Sequence, residues 1–428
     1  MARVHPAMVG STQGSGMGGM SSVQTLYRDS VLGGDHPNDL LQEGLANVVA
    51  AYVVQSYVGG YGPMVHPVAA CATAAVSIED GVDKIRAGKA DVIVAGGWDD
   101  LQLEGVLGFS TMNATAPTEY MEAMGLEPGQ FSRANDRRRA GFVEAQGGGT
   151  VLLARGSVAA DLGLPVRGVV VYASSFADGI HTSIPAPGLG ALACVLGGGD
   201  SPLGRALAEH GLEADDVAVV SKHDTSTGAN DPNESELHER IAGELGRSEG
   251  NPMLVVSQKT VTGHAKGGSA AWQTIGLLQV LESGQVPGNR NLECLDTSHR
   301  DHTALAYGHR EIAAGEPLRA GLLTSLGFGH VSAVLCLAHP GVFSAALNGR
   351  GQDHAESAAR RRLVGQRRRL ANRYEVEPAY TKRVDRRLVG DDDSDERHEA
   401  EVRLLTDPAV RLGGDGTYLT GPARADRS

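Results

Sequence analysis

One stretch constrains the fold more than any other. Asp91–Gly97 reads DVIVAGG, an unbroken run of β-branched and small residues. A strand with one wet face alternates apolar and polar side chains. A strand without alternation is buried on both faces, which requires helices on both sides of its sheet. The neighbouring residues agree. Cys71–Ala87 places Ala75, Ile78, Val82 and Ile85 on one helical face, and Met64–Ala70 before it reads as a short strand. Gly147–Leu153 is a second unbroken apolar run. Strand–helix–strand order of this kind predicts an α/β chain with a parallel or mixed sheet under helices.

The same grammar then recurs. Val166–Ala173, Val217–Ser221 and Met253–Ser257 read as strands, Glu234–Leu245 and Ser269–Ser283 as helices, and Leu318–Ser325 and Ala333–Ala338 close the series. Two α/β halves are expected, 1–160 and 161–340, alike in element order but not in residue sequence. Glycine makes up 58 of 428 residues, about twice the usual share, and aromatics are 4%. Sharp turns and close packing follow from that composition. After residue 341 apolar residues thin out. Arginine triplets occupy Arg360–Arg362 and Arg367–Arg369, and Asp391–Arg397 is acidic. Residues 341–428 read as a charged appendage, helical near 355–375 and disordered beyond.

With 38 basic and 51 acidic residues the net charge is −13, which disfavours nucleic acid or an anionic membrane as partner of the whole chain. The arginine triplets fit a solvated helix face. No apolar run reaches the ~18 residues of a membrane span, and the first twenty residues lack a signal-peptide pattern. Four cysteines, Cys71, Cys194, Cys294 and Cys336, form no CxxC pair, which excludes a zinc knuckle or a thioredoxin motif, and four in 428 residues are too sparse for a disulfide scaffold. A cytoplasmic setting is expected.

Four clusters carry chemistry. Cys71 stands where a strand passes into a helix. The partial positive charge of a helix start favours thiolate, and both a nucleophile and a buried structural cysteine remain open on this ground. His223 lies in Ser221–Glu234, a polar loop after a strand that also offers Thr225 and Thr227 hydroxyls; such loops are where α/β proteins place their sites. Lys259 and His264 lie in KTVTGHAKGG, where they can converge on one point; this is not a P-loop, which needs Gly-Lys followed by Ser or Thr. Phe328 sits between Gly327 and Gly329, in a turn that exposes backbone N–H groups or buries one ring.

Taken in order, these residues resemble the β-ketoacyl-acyl-carrier-protein synthases. ACATA resembles their nucleophile elbow, HDTSTGANDPNE their HGTGTxxxDxxE loop, KTVTGHAKGG their KxxxGHxxGA loop and GFGH their GFGG turn. GSGMGG, GFVEAQGGG, GRSEGNP and PGNRN are closer still to the ketosynthase domain of fungal and actinobacterial type I fatty acid synthases. The resemblance covers roughly residues 4–340 and implies a thiolase-like fold of two pseudo-duplicated halves in five αβαβα layers. GSGMGG begins at Gly14, where the family has a further strand and helix before it, so the first half is expected to be incomplete.

The resemblance implies a decarboxylative Claisen condensation in fatty acid biosynthesis. Cys71 would carry the acyl chain as a thioester. His223 and His264 would donate hydrogen bonds to the malonyl enolate, with Lys259 orienting His264. The backbone N–H groups of Cys71 and Phe328 would form the oxyanion hole, Phe328 would gate the malonyl entrance, and Thr225 and Thr227 would hold phosphopantetheine. No metal or cofactor is implied, because the pantetheine arm belongs to the acyl carrier protein. That carrier protein is the implied partner, in a homodimer or a larger synthase. Alternatives are a non-catalytic remnant or one piece of a split synthase. A thiolase is disfavoured because its second cysteine is lacking in GFGH, and a Cys-His-Asn enzyme because His264 occupies the Asn position. Asp224 departs from the family, which has Gly after the first His.

Overall fold

The computed structural model describes residues 4–35, 40–54, 58–179, 188–347, 351–372, 402, 405–412 and 418–419. The expected disorder beyond 375 falls largely outside them. The strands used below are β1 (Val9–Ser15), β2 (Val92–Asp99), β3 (Gly147–Ala154), β4 (Val169–Ala177), β5 (Val217–Ser221), β6 (Met253–Val256), β7 (Leu305–Ala306), β8 (Ala320–Gly327) and β9 (Val331–Ala338). The helices numbered, short ones aside, are α1 (Met20–Leu32), α2 (Thr73–Arg86), α3 (Leu103–Thr111), α4 (Gly156–Leu162), α5 (Pro202–Glu209), α6 (Asn230–Glu244), α7 (Ser269–Ser283) and α8 (Gly351–Asn372).

Two sheets form. The first runs β1-β2-β3, with β1 parallel to β2 and β3 antiparallel to β2. The second runs β4-β9-β8-β5-β6-β7, with β5 parallel to β8 and β9 antiparallel to both β8 and β4. The triplet β5-β8-β9 therefore repeats β1-β2-β3, which is the duplication expected from sequence. Helices α2 and α7 lie between the sheets: α2 touches β1, β2 and β4, and α7 touches β2, β3, β8 and β9. Alanines make this close approach possible. Ala72, Ala74 and Ala75 meet Ile93 and Ala95 from one sheet, Val219 and Leu335 from the other, and Ala270 and Ala271 of α7. Outside the second sheet, α5 and α6 close a separate cluster around Leu203, Leu207, Leu237 and Ile241. On the outer face of the first sheet α4 sends Leu162 against Val92 and Val94. The layers are thus helix, sheet, helices, sheet, helix.

Among the described residues the first sheet has three strands and the second six. In the second sheet β4 fills the outer edge of β9 over eight residue pairs. Among the described residues nothing pairs with the equivalent edge of β3. A cavity of about 520 Å³ opens beside it, with Ile275 and Leu278 of α7 and Val169 and Val170 of β4 in its wall. One difference from the sequence reading lies here. Gly147–Leu153 predicts a strand buried on both faces, yet β3 alternates half-buried and exposed residues because one of its faces is open to solvent. By contrast β2, in the middle, is buried at every position but Trp98.

Other boundaries shift. Met64–Ala70 is not a strand: Met64 makes one parallel bridge to Ser11 and the rest runs unpaired to the elbow. The predicted helix at Cys71–Ala87 opens as a 3₁₀ turn, Ala70–Ala72, before α2. Helix α6 begins at Asn230, four residues before the predicted Glu234, because the Thr227 hydroxyl accepts from the Asn230 N–H. Val166–Ala173 moves to Val169–Ala177. Strand β1, unread in the sequence, is fully buried.

Candidate active site

Cys71 reaches its position through backbone strain. Ala70 has φ +46, a conformation that costs a residue with a Cβ free energy, and this bend throws the Cys71 side chain forward of α2. The Thr73 hydroxyl accepts from the Ala69 N–H at 2.9 Å and donates to the Ala70 carbonyl at 2.8 Å, which closes the bend. The second half holds it from the other side. Ser325 Oγ donates to the Cys71 carbonyl at 3.0 Å. A Cβ on Gly327 would lie 2.4 Å from the Ala69 carbonyl, so the elbow and β8 meet only because residue 327 is glycine.

Two histidines face the sulfur. His264 Nε2 lies 3.1 Å from Cys71 Sγ, and its Nδ1 lies 3.0 Å from Ser269 Oγ, a hydroxyl able to serve either imidazole tautomer. Its ring stands edge-on to Phe142 at 5.0 Å and to His223 at 5.4 Å. His223 Nδ1 lies 3.1 Å from Lys259 Nζ, which also donates to the His223 carbonyl. Lys259 therefore contacts His223, and Ser269, not Lys259, orients His264. The assignment of Lys259 to His264 made from sequence is corrected on this point. Ligand atoms of Cys71, His223 and His264 all fall within 4.8 Å of one another, the one group among the described residues close enough to share a metal ion. The ammonium of Lys259 opposes a cation there.

The electrostatics follow from burial. The Cys71 thiol is pushed up to about 11, chiefly because burial penalises thiolate; Asp99 raises it further, while Lys259, Lys266 and the Phe328 N–H pull it down. Burial thus works against the helix-start activation considered from the sequence, and α2 begins only at Thr73, two residues later. His223 and His264 are both held well below the usual imidazole range, first by burial and then by Lys259. Lys259 falls to about 8 through burial, partly offset by Glu234. At neutral pH the site holds a thiol, two neutral imidazoles and a mostly protonated ammonium.

A cavity of about 270 Å³ reaches these groups. Thr225, Thr227 and Phe328 line it together with Cys71, His223 and His264, so all the residues singled out in the sequence except Lys259 border one space. Thr225 and Thr227 hydroxyls lie 3.1 Å apart. The Phe328 ring leans on Phe109 at 5.7 Å. Cys336 sits in β9 inside the core and Cys194 is also buried, which leaves Cys71 as the only cysteine lining the cavity.

Several supporting residues escaped the sequence reading. Glu234 accepts from the backbone N–H groups of His223 and Asp224 and from Thr324 Oγ1. Its signal was the last letter of the HDTSTGANDPNE loop. Asp99 accepts from Ser15 Oγ and from the N–H groups of Gly16, Met17 and Gly267, tying GSGMGG to the turn after His264. Nothing in the pattern of a strand end announces that role.

The class of the chain is now defined. Residues 2–159 match the family Beta-ketoacyl synthase, N-terminal domain, and residues 167–293 match Beta-ketoacyl synthase, C-terminal domain; the chain belongs to this family. Among its relatives are the fatty acid synthase alpha subunit stcJ of Emericella nidulans, 43% identical over 79% of this chain and 22% of that protein, and the fatty acid synthase subunit alpha of Saccharomyces cerevisiae, 32% identical over 79% and 22%. The chain thus spans less than a quarter of these relatives. The solved ketosynthase FabY from P. aeruginosa shares its fold with a TM-score of 0.75 at 23% identity, over 89% of this chain and 59% of that one; the fold is thiolase-like.

Proposed function

We propose that this chain condenses an acyl group with a malonyl thioester, both carried by acyl carrier protein, to give a 3-oxoacyl thioester in fatty acid synthesis. The observation that carries this reading is a buried thiol and two neutral imidazoles within 4.8 Å of one another beside a largely apolar cavity. In the first step Cys71 sulfur attacks the acyl thioester. The S–H proton passes to His264 Nε2 and on to the departing pantetheine thiolate. In the second step the malonyl C–C bond breaks and carbon dioxide leaves. Imidazole N–H groups meet the enolate oxygen, His223 through Nε2 and His264 after its proton exchanges from Nδ1 to Nε2, with Ser269 serving either tautomer. Donation from Lys259 to Nδ1 keeps the His223 proton on Nε2, which faces the substrate. The enolate carbon then attacks the acyl carbonyl, whose oxyanion takes the N–H groups of Cys71 and Phe328. Collapse frees Cys71 as a thiolate, which takes one proton from solvent.

Thr225 and Thr227 suit the amide groups of a phosphopantetheine arm, which arrives with the carrier, so no cofactor of the chain's own is needed. Phe328, backed by Phe109, suits a gate for the malonyl group. A homodimer within a larger synthase is the assembly proposed, supported by exposed apolar side chains near the elbow at Val65, Val68, Leu103 and Leu107. A cytoplasmic setting is supported by free cysteines, and no helix among the described residues is long and apolar enough to cross a membrane. The test is direct. Purified chain with acyl- and malonyl-loaded carrier is expected to release carbon dioxide and form the 3-oxoacyl product. Absence of product while Cys71 still takes the acyl group overturns the reading in favour of a bare acyltransferase.

A further inference from the structure

The two residues on either side of His223 are charged, paired and out of reach of the cavity. Lys222 Nζ lies 2.7 Å from Asp224 Oδ1, and both side chains are fully buried. Lys222 Nζ also donates to Asn135 Oδ1 at 3.0 Å and to Ser235 Oγ at 2.8 Å. The second carboxylate oxygen of Asp224 accepts from Asn135 Nδ2 at 2.8 Å and from Ser257 Oγ. Burial penalises both charges, yet each holds the other ionised: Lys222 stays above its ordinary range and Asp224 below it. Neither lines the cavity around Cys71.

Asp224 also stands at φ +36. Glycine adopts that conformation at no steric cost, and an aspartate does not. The fold thus accepts strain and two buried charges at the step where the chain turns away from His223. What the carboxylate supplies is fixation. Glu234 holds the His223 and Asp224 N–H groups, and Lys259 holds the His223 carbonyl and Nδ1; the Asp224 carboxylate adds a side-chain tie on the turn that follows. Asp224 ties that turn to β6 through Ser257 and to the first half through Asn135, whose own N–H donates to Asp231 at 2.9 Å.

We propose that the buried Lys222–Asp224 pair is a positioning device for His223, aiming its Nε2 at the reacting oxygen, and that Asn135 carries this brace across from the first half. This inference rests on the condensing reading. Misplacement of a reacting group by about an ångström costs on the order of 10²-fold, and only the step that uses His223 should feel it.

The test separates the two partial reactions in the full chain. Asp224→Asn is expected to lower carbon dioxide release from malonyl-carrier by roughly 10–100-fold while acyl transfer to Cys71 stays within about twofold of the parent. The double variant Lys222→Met/Asp224→Gly removes both charges and the strain. It is expected to melt near the parent temperature yet remain slow in decarboxylation, which a purely structural pair would not produce. Recovery of carbon dioxide release together with stability in the double variant overturns the proposal, as does a parent-like rate in Asp224→Asn. A readout independent of turnover is the ¹⁵N spectrum of His223. The parent should show one tautomer with Nδ1 unprotonated, and Asp224→Asn a tautomer mixture; identical spectra overturn the proposal even if no variant, and not the parent, releases carbon dioxide. That last result alone would instead overturn the condensing reading.

Discussion

Cys71 rests with a thiol pKa near 11, so at neutral pH only a small fraction is thiolate, and the proton must leave during acyl transfer rather than before it. Alkylation by iodoacetamide should therefore accelerate about tenfold per pH unit between 7 and 10, followed by mass spectrometry of the Cys71 peptide. A rate already flat at pH 8 would show an activated thiolate and contradict the burial argument. Cys194 and Cys336, pushed up to about 12 inside the core, should remain unmodified in the folded chain. His223→Ala and His264→Ala each remove one fixed donor to a developing oxyanion, and each should lower malonyl decarboxylation by ~10²–10³. Acyl transfer should fall less in His223→Ala than in His264→Ala, since His264 alone lies within hydrogen-bond reach of the sulfur. Equal losses of acyl transfer in the two variants would refute that division of labour.

The elbow and β8 interlock through an absent side chain. Gly327→Ala places a methyl group 2.4 Å from the Ala69 carbonyl, and either the strained turn or the strand must yield. Overpacking of this kind costs about 1–3 kcal/mol. Denaturant unfolding should show that loss, accompanied by slower acylation of Cys71; an unchanged midpoint would mean the two elements are not clamped. The elements themselves were readable to different degrees. Val217–Ser221 and Ser269–Ser283 match their predicted bounds, since an apolar run with polar flanks and a Gly after the last turn are local signals. Met64–Ala70 misled because an apolar stretch entering a helix looks like a strand, whereas its one bridge depends on how close Ser11 comes. Strand β1 hid among glycines and hydroxyls, VGSTQGS, whose burial comes from neighbours far along the chain. The alternating exposure of β3 depends on what covers its faces, which no window of sequence contains.

At the scale of the molecule, acid sensitivity follows from its buried neutral imidazoles. His238 and His299 fall to about 3, first through burial and then through Lys222, and His223 and His264 lie well below the usual range. Below pH 6.5 the unfolded chain takes up protons at these positions that the native chain refuses. Stability is then full above pH 6.5 and declines as pH falls toward 3, by up to ~1.4 kcal/mol per unit for each histidine. Melting temperature should drop clearly between pH 7 and 5, and a flat profile would mean these imidazoles are not buried neutral. The site was legible where a residue follows a strand end, as His223 follows β5 and Phe328 follows β8. Which imidazole Lys259 serves, and how the thiol ionises, were not, because both depend on packing between halves. That packing has a consequence during synthesis. Cys71 and His264 are separated by 193 residues, so at 5–20 residues per second the sulfur leaves the ribosome roughly 10–40 s before its partner. For that interval it is an ordinary, solvent-open thiol, more ionised and more easily oxidised than in the finished protein. Completion of the second half is what quietens it, and the nascent chain is the stage at which an oxidant would do this protein most harm.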